Sequence, residues 1–489
     1  MPLERPVELV APAGEPDAGY AALHYGADAL YLGLNRFSAR AEAANLSLDQ
    51  LGELTAYAHS LTPRRRVLVT VNTVILQDEL PALVELLAGV AELGVDGVIA
   101  QDLGVARLVR AHFPELRLHA STQMAIHNLA GAEALATLGF HRVVLARELT
   151  LGDIETIAAR CGIETEVFIH GALCYSYSGL CLFSSMTRGQ SGNRGRCKQP
   201  CRELCRVEAP LKDGYAFSMK DLALLDRVAD LRRVGVTALK VEGRMKSPLY
   251  VATVVNYYRR MLDRSPRNAR QELAGLEADM RTVFARAWTR FSLDSARPRD
   301  AVDRDWIGHR GQLIGRVEAV RPAPAARGAA NGDVLRLQSS RRLELRDGLQ
   351  IDVPGAGRPY GFAVAELRLV DPSGKQNRPV FDAPAGARVE VALPPNHPVI
   401  PVSAPVYCSS AQDVKQRYTW PTPKPGLHKA RQDLSVELSV EASRLVATAR
   451  LDRASSQAES AGVAVELAGE FPTARDAAHT ASAAQAAFE

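Results

Sequence analysis

The sequence has little that suits a membrane or an extracellular protein. No segment approaches the ~20 consecutive apolar residues that a membrane-spanning helix needs. The first residues, MPLERPVELVAPAG, lack the basic region, apolar stretch and cleavage site of a signal peptide. We therefore expect a cytoplasmic protein with no membrane segment.

Cysteine is scarce and unevenly placed. Seven cysteines in 489 residues are too few for a disulfide scaffold. Five of them lie between Cys174 and Cys205, whereas Cys161 and Cys408 are isolated and are expected in the core. An odd number of cysteines in a reducing compartment points to metal binding or catalysis. The net charge of +4 does not by itself indicate a nucleic-acid partner.

Between residues 8 and 262, short β-branched runs alternate with helix-like stretches. Eight strands alternating with helices predict a parallel sheet, and the number eight favours closure. An open doubly wound sheet is the alternative, but no glycine-rich phosphate fingerprint follows the first strand. We therefore predict an α/β fold, a TIM-like (β/α)8 barrel over residues 1–290. The predicted strands are Glu8–Pro12, Ala29–Gly33, Arg66–Asn72, Gly97–Gln101, Leu116–Ser121, Arg142–Leu145, Glu164–His170 and Ala238–Glu242.

The interval after the seventh predicted strand is far longer than a βα unit needs. It contains the cysteine-bearing loop at 171–206, and long loops on a rigid scaffold usually carry function. Short strands broken by Gly, Pro and Asp predict a β-rich barrel or sandwich at 291–393. Residues 394–489 predict a proline-rich connection and a partial α+β segment. That segment ends in a predicted helix at 473–489 without a C-cap, and we expect it to belong to a longer domain.

Four cysteines of the loop have a spacing that suits a metal centre. Cys174, Cys181, Cys197 and Cys201 follow the pattern C-x6-C-x15-C-x3-C, and Cys205 adds a fifth thiol. The first two are too far apart for a zinc knuckle, whereas a larger iron–sulfur cluster tolerates dispersed ligands. The spacing favours an iron–sulfur cluster, with 4Fe–4S as the expected form. Zinc is the alternative, and a set of small buried apolar residues is another.

The same loop interleaves basic and aromatic side chains. This mixture suits a surface that follows a nucleic-acid backbone and stacks on its bases. The alternative is a solvated loop whose positive charge offsets that of the thiolates. The residues are Arg188, Arg194, Arg196, Lys198, Arg202 and Arg206, with Tyr175, Tyr177 and Phe183.

In a (β/α)8 barrel the chemistry lies at the carboxyl ends of the strands. His170 ends the seventh predicted strand and is a candidate general acid–base or a donor to a cluster sulfide. Glu242 and Arg244 follow the eighth strand at alternate positions, so they can share a face. We predict that these three residues are catalytic. The alternatives are a scaffold histidine and an ion-pair network at the barrel rim.

Five further residues form the predicted substrate-binding set. Arg244 and Lys246 suit a dicarboxylate or phosphate, because guanidinium pairs with such groups through two hydrogen bonds. Asn72 and Gln123 suit orienting a base edge or a carbonyl, although buried amides that fix a loop are equally expected there. The predicted substrate-binding residues are Asn72, Gln123, Arg147, Lys246 and Arg194.

Several segments resemble the collagenase-like peptidase family, and they occur in order over about 240 residues. They are ELVAPAG at 8–14, YGADALYLGLNRFSAR at 25–40, HASTQM at 119–124, GALCYSYSGLCLFSS at 171–185, NRGRCKQPCR at 193–202 and LKVEGRMKS at 239–247. The resemblance implies a cluster held by Cys174, Cys181, Cys197 and Cys201, and it assigns no role to Cys205. Bacterial members are implicated in oxygen-independent hydroxylation of RNA bases or ubiquinone precursors, and the RNA hydroxylases depend on prephenate as hydroxyl source.

The segment DWIGHRGQLIGRV at 305–317 resembles the extra domain of the longer members. Among these are hydroxylases of ribosomal RNA cytidine, whereas the shorter tRNA uridine hydroxylation proteins lack the domain. The resemblance therefore implies an enzyme that forms 5-hydroxycytidine in large-subunit rRNA, with a small-molecule hydroxyl donor. Hydroxylation of tRNA uridine is the alternative within the family.

Two further functions stay open from the residues. A peptidase would need a nucleophile, yet the sequence has neither an HExxH helix nor a GxSxG elbow. Cys174 lies near His170, but one thiol cannot be both a metal ligand and a nucleophile. The last alternative is a non-catalytic scaffold whose fold the cluster stabilises.

Overall fold

The computed structural model of the chain describes most of its residues. These are residues 7–206, 213–263, 270–322, 332–353, 358–370, 377–429, 434–441, 443–451 and 462–469. The helix predicted at 473–489 lies outside them. None of the helices within these ranges is both long enough and apolar enough to cross a membrane.

A closed parallel barrel forms the first part of the chain, as predicted. Each strand pairs in parallel with the next, and β9 closes the ring by pairing with both β1 and β7. All eight strands predicted from the sequence are present within one or two residues of the expected bounds. They are β1 (Glu8–Ala13), β2 (Ala29–Gly33), β3 (Arg66–Val71), β4 (Gly97–Ala100), β5 (Arg117–Ala120), β6 (Arg142–Val144), β7 (Glu164–Ala172) and β9 (Ala238–Val241).

Helices join the barrel strands, and local sequence fixes where several of them begin. Ser47 and Gln50 form a reciprocal capping box at the start of α2, and the Asp102 carboxylate accepts the Gly104 and Val105 N–H groups at the start of α4. The helices are α1 (Pro16–His24), α2 (Leu48–Ser60), α3 (Leu80–Glu92), α4 (Leu103–His112), α5 (Leu129–Thr137), α6 (Leu151–Arg160), α7 (Phe183–Arg188), α8 (Val228–Arg233), α9 (Pro248–Asp263) and α10 (Arg270–Val283).

Two short strands extend the barrel wall where the sequence predicted none. The end of β7 continues past the barrel, and β8 (Asp221–Ala223) pairs with it in antiparallel fashion from His170 to Ala172. The strand β10 (Trp288–Thr289) pairs in parallel with β8. This extension fixes the start of the cysteine loop, because the loop leaves directly from β7.

The barrel interior is charged at its amino-terminal end. Arg142 is 1% exposed and forms ion pairs with Glu8 at 2.6 Å, Glu164 at 2.5 Å and Glu166 at 3.0 Å. Lys240 binds the other oxygen of the fully buried Glu166 at 2.6 Å. Because every buried cation here has a carboxylate partner, the network satisfies its own charge.

A β-rich region packs beside the barrel within the same compact unit, Met1–Lys429. Its main sheet has the strand order β15-β14-β20-β11-β12-β19-β16-β17, and β13 pairs with β18. The strands are β11 (Gln312–Pro322), β12 (Asp333–Gln338), β13 (Leu343–Glu344), β14 (Gly348–Ile351), β15 (Tyr360–Ala363), β16 (Leu367–Leu369), β17 (Arg378–Pro379), β18 (Asp382–Ala383), β19 (Arg388–Ala392) and β20 (Pro405–Ser410). The predicted boundary at 393 therefore falls before a strand, β20, that pairs with both β11 and β14.

The chain after β20 continues with the short helix α11 (Gln412–Arg417) and a proline-rich strap. In that strap the Trp420 indole donates to Asp17 of α1 at 2.8 Å. A second compact unit comprises Ala430–Glu489. Its described part is an antiparallel sheet of β21 (Leu434–Glu441), β22 (Arg444–Leu451) and β23 (Gly462–Ala468).

Candidate active site at the barrel mouth

The carboxyl ends of the barrel strands and the cysteine loop enclose one cavity of about 360 Å³. The apolar part of its lining includes Tyr31, Ile99 and Phe168. Its walls bring together most of the residues predicted for the site. These are Asn72, Gln123, Arg147, Glu242, Arg244 and Lys246, with Cys174, Cys181, Cys197 and Cys201.

The four predicted ligand thiols line this cavity, and the conformation of the loop directs backbone N–H groups at two of them. Phe183 N–H donates to Cys181 Sγ at 3.3 Å, and Gln199 N–H donates to Cys197 Sγ at 3.4 Å. Such bonds stabilise a thiolate over a thiol, because the added negative charge accepts the N–H more strongly. Cys205 does not line the cavity and its Sγ faces the Glu203 carbonyl.

The four thiols have the ligand chemistry of a soft metal centre. All four are free of disulfides, and burial raises the pKa of Cys201, to which the nearby Cys174, Cys197 and Cys181 add. Within the described ranges, no three His, Cys, Asp or Glu side chains are grouped so as to hold one metal ion. A cluster spaces its ligands more widely than a zinc ion does, so a dispersed set of four thiols around one cavity suits it.

Contacts to two neighbouring loops hold the cysteine loop over the barrel mouth. Arg194 donates to both oxygens of Glu79, at 2.7 and 3.1 Å, and to the Val74 carbonyl at 2.9 Å. Lys198 pairs with Glu42. Gly195 has φ +80° and no room for a side chain, since a Cβ would lie 2.3 Å from the Ser38 carbonyl oxygen. The structure therefore gives Arg194, predicted to bind substrate, a carboxylate partner inside the protein.

Arg244 is 3% exposed and projects into the cavity from the segment after β9. Its Nη1 donates to Thr70 Oγ1 at 3.0 Å, and its Nη2 donates to Ser38 Oγ at 2.7 Å and to Asn45 Oδ1 at 2.8 Å. All three acceptors are uncharged. Burial lowers the pKa of this guanidinium to about 10, so it stays protonated at neutral pH.

Glu242 is a carboxylate that lies among three arginines of the cavity wall, Arg40, Arg147 and Arg244. It pairs with Arg40 at 3.3 Å and accepts the Tyr31 hydroxyl at 3.3 Å. Burial opposes its ionisation, but Arg40, Arg147 and Arg244 more than offset this and hold its pKa below the usual value. Glu242 is thus a carboxylate at neutral pH, which suits ion pairing or proton acceptance.

Two other cations lack a carboxylate in contact with them. Arg147 donates to the Ala172 carbonyl at 2.8 Å and stacks on Phe168, 4.3 Å from the ring centroid. Lys246 contacts the Phe284 ring at 3.0 Å, and burial, with Arg286, lowers its pKa to about 8. Among the described residues neither one has an ion pair within 4 Å. The cavity is therefore positive.

The two predicted amides form a pair on the opposite wall. Asn72 accepts the Ala39 N–H at 3.0 Å and donates to Gln123 Oε1 at 3.0 Å. The Gln123 side-chain NH2 group takes part in no hydrogen bond that the described residues supply. It is thus free to donate to a ligand carbonyl or ring nitrogen.

His170, like Arg194, is a predicted site residue that does not line the cavity. It is 2% exposed, its Nδ1 lies 3.2 Å from the Tyr258 hydroxyl, and Tyr250, Tyr258 and Trp288 surround its ring. Burial lowers its pKa to about 4, so the imidazole is neutral. Its predicted catalytic role stays a prediction, and the geometry favours a packing role.

Sequence reasoning missed Arg40, Lys240 and the three acceptors of Arg244. Lys240 lies two residues before Glu242 on the same strand, so the period of two could have placed it in the barrel. Thr70 likewise lies two residues before Asn72, so the same period could have placed it in the barrel. Arg40, Ser38 and Asn45 belong to the long loop after β2, where no periodic signal places a side chain.

A (β/α)8 barrel whose mouth is covered by a loop with four cavity-facing cysteines defines the class of protein. The chain belongs to Peptidase family U32, whose sequence model matches residues 14–301. This span contains the barrel from β2 to β9 and all the candidate site residues.

Three relatives illustrate the similarity. The 23S rRNA 5-hydroxycytidine C2501 synthase of Escherichia coli is 39% identical over 53% of this chain and 39% of its own. The tRNA hydroxylation protein P1 of Bacillus subtilis is 34% identical over 52% of this chain and 63% of its own. A protein named collagenase from Porphyromonas gingivalis is 31% identical over 52% of this chain and 65% of its own. The chain thus spans less than two thirds of each relative.

Proposed function

We propose that this protein hydroxylates a pyrimidine base of RNA with an iron–sulfur cluster, of the 4Fe–4S type, in its cysteine loop. One observation carries the proposal: four thiols and several cations without carboxylate partners face a single cavity at the barrel mouth. The names of the relatives, an rRNA hydroxycytidine synthase and a tRNA hydroxylation protein, support the reaction. The proposed product is 5-hydroxycytidine in large-subunit rRNA, formed without oxygen and with prephenate as hydroxyl source. A tRNA uridine is the alternative substrate.

The chain's own residues would bind and orient the reactants. A bound cluster supplies electron transfer or a Lewis-acidic iron next to the substrate. The Gln123 amide donates to the edge of the base, and Asn72 fixes that amide through its own hydrogen bond. Arg244 and Lys246 hold an anionic hydroxyl donor by charge-assisted hydrogen bonds. Glu242, ionised at neutral pH, accepts the proton that leaves the base.

The outer face of the cysteine loop suits single-stranded RNA. The side chains of Tyr175, Tyr177 and Phe183 are exposed by 51%, 43% and 37%, which leaves aromatic surface for stacking, although each ring also contacts another ring edge to face. The cavity is too small for a duplex, so the target base must leave its stack to enter it. Arg196 adds positive charge to the same loop.

The metal centre is tested by anaerobic purification with iron and sulfide analysis. We expect about four iron and four sulfide per chain, which is the content of one 4Fe–4S cluster. Cys197→Ala should lose them, whereas Cys205→Ala, in the same loop but outside the cavity lining, should retain them. Stoichiometric zinc, or equal loss in both variants, would contradict the proposal.

The reaction is tested by mass spectrometry of RNA from a deletion strain. We expect one hydroxylated cytidine of the 23S rRNA to disappear and to return with the wild-type gene but not with Arg244→Gln. Loss of the same modification in a strain unable to make prephenate tests the hydroxyl source. A change confined to tRNA would move the substrate to tRNA, and unchanged RNA would refute the proposal.

A peptidase is the second candidate, favoured by the collagenase-named relative and by the family's name. The site gives it little support. His170 faces Tyr258, and Cys174 Sγ faces the Ser176 hydroxyl at 3.1 Å. Among the described residues no histidine nitrogen lies within hydrogen-bond distance of a cysteine sulfur. Purified protein that cleaves gelatin, and loses this activity in Cys174→Ser, would restore the peptidase.

A further inference from the structure

Arg244 differs from the other buried arginines of this chain. Arg142 contacts three carboxylates, and Arg341, 9% exposed, binds Asp413 at 2.8 Å. Such pairing is the rule, because an isolated buried charge costs several kcal/mol. Arg244 is 3% exposed, yet no carboxylate within the described residues lies within 4 Å of it.

The partners of Arg244 form a neutral cradle, by which we mean Ser38, Asn45 and Thr70. They accept three of its five N–H groups, and the buried Nε has no partner in the part of the chain that the structure describes. The guanidinium therefore keeps its full charge and two unused donors. These two donors lie on opposite edges of the guanidinium, so an anionic group would pair with one of them at a time and would still neutralise the charge.

The fold also holds the cradle rigidly. Asn45 has φ +51°, an uncommon conformation for a residue other than glycine, and its Nδ2 donates to the carbonyls of Arg40 and Ala43. Gly33 makes room for the guanidinium at this position, since a Cβ there would lie 2.3 Å from Nη2. The chain accepts backbone strain to present a neutral amide to Arg244.

The nearest acid does not neutralise the group either. Glu242 interacts with Arg244, but Arg40, Arg147 and Lys240 share the same carboxylate. Lys240 is already paired with Glu166, so one negative charge among the three arginines leaves an excess of positive charge that faces the cavity. Only an anionic ligand can supply the missing partner.

We infer that Ser38, Asn45 and Thr70 are positioning residues that hold Arg244 by uncharged bonds, so that its charge stays available to a carboxylate or phosphate group of a small ligand. The inference rests on the proposed function only for the role of that ligand in the reaction. Anion binding itself is a property of the purified protein. If a carboxylate of the protein replaced one of the three uncharged acceptors, its ion pair with Arg244 would stabilise the fold. The same ion pair would remove the anion-binding site.

Thr70 offers a test that changes charge at nearly constant shape. Asp and Asn are close in volume to Thr, so Thr70→Asp and Thr70→Asn share every effect except the charge placed beside Nη1. The probes are malonate, a dicarboxylate, and inorganic phosphate, each measured by calorimetry and by the shift in thermal midpoint. The probe that binds more tightly shows whether the anionic group of the ligand is a carboxylate or a phosphate.

We expect Thr70→Asn to keep the wild-type affinity within about threefold and Thr70→Asp to lose at least about tenfold. Thr70→Asp should also unfold at a higher temperature than Thr70→Asn, because the buried arginine gains a partner. If Thr70→Asp does not fold, Arg244→Gln must lose the same affinity. Equal affinity in the Asp and Asn variants, binding retained in Arg244→Gln, or no binding of either probe to the wild type would overturn the inference. Unchanged RNA in the deletion strain would refute only the hydroxylation.

Discussion

At the scale of single residues, Lys246 shows how burial sets the charge of the cavity. Burial, with Arg286 and Arg202 nearby, lowers its pKa to about 8, although Asp221 and Glu242 act in the opposite direction. The ammonium is therefore charged below pH 8 and neutral above it. We expect the affinity of the purified protein for malonate or phosphate to fall as the pH rises from 7 to 9.

The matched control for this prediction is Lys246→Arg. A guanidinium stays protonated through that range, so the variant should show a flatter pH profile. Other groups that titrate near the cavity, such as the Cys201 thiol, affect both proteins alike. Parallel profiles in wild type and variant would show that Lys246 does not contribute to the binding.

Residues at strand ends were the ones that the sequence could place. Arg244, Glu242 and Asn72 were predicted in the site because a barrel directs the carboxyl ends of its strands to one rim. The same rule did not bring His170 into the cavity lining, since the β7–β9 register shifts between Phe168 and His170 and the His170 ring packs against Tyr250, Tyr258 and Trp288. The neutral cradle could not be predicted, because Ser38 and Asn45 lie in the loop after β2, where no periodic pattern of the sequence places a side chain.

At the scale of elements, the contact between Arg194 and Glu79 fixes where the cysteine loop lies. Arg194 binds both oxygens of Glu79 in the wild type. We expect Arg194→Glu to loosen the loop, because the new carboxylate would repel that of Glu79. In protein without metal, iodoacetamide should then alkylate Cys197 and Cys201 faster. The exchange of both charges, Arg194→Glu with Glu79→Arg, should restore the slow rate.

Arg188 and Glu203 provide the control in the same loop. Their side chains are about half exposed, and both oxygens of Glu203 accept from Arg188 Nη2. A reversal of charge at this exposed pair should leave the alkylation rates unchanged. If Arg188→Glu accelerates alkylation as strongly as Arg194→Glu, the loop is held by overall charge rather than by the contact with Glu79.

Some strands could be predicted from the sequence and others could not. The eight barrel strands are mostly buried, and seven of them have four or more residues. The strand β6 has only three, and its place in the alternation of strands and helices made it recognisable. The strands β8 and β10 have three and two residues, too few for any period. Their pairing depends on the extension of β7, which is a tertiary effect.

At the scale of the whole molecule, the structure distinguishes two positions at which the chain can be truncated. The first compact unit ends at Lys429, whereas the sequence placed a boundary at residue 393. Beyond residue 393 the strand β20 adds Val406 and Cys408, both fully buried, to the core of the β-rich region. Trp420 and Tyr418 then pack against the barrel helices, where Tyr418 donates to Asp279 at 3.2 Å.

We therefore expect a chain of residues 1–429 to unfold in one transition near the midpoint of the barrel in the full chain. A chain of residues 1–393 should be strongly destabilised or insoluble, because β11 and β14 lose the strand between them and expose their pairing edges. Thermal unfolding followed by circular dichroism compares the two. A 1–393 chain as stable as 1–429 would mean that β20 and the strap add nothing to the first unit, and that the earlier boundary separates real domains.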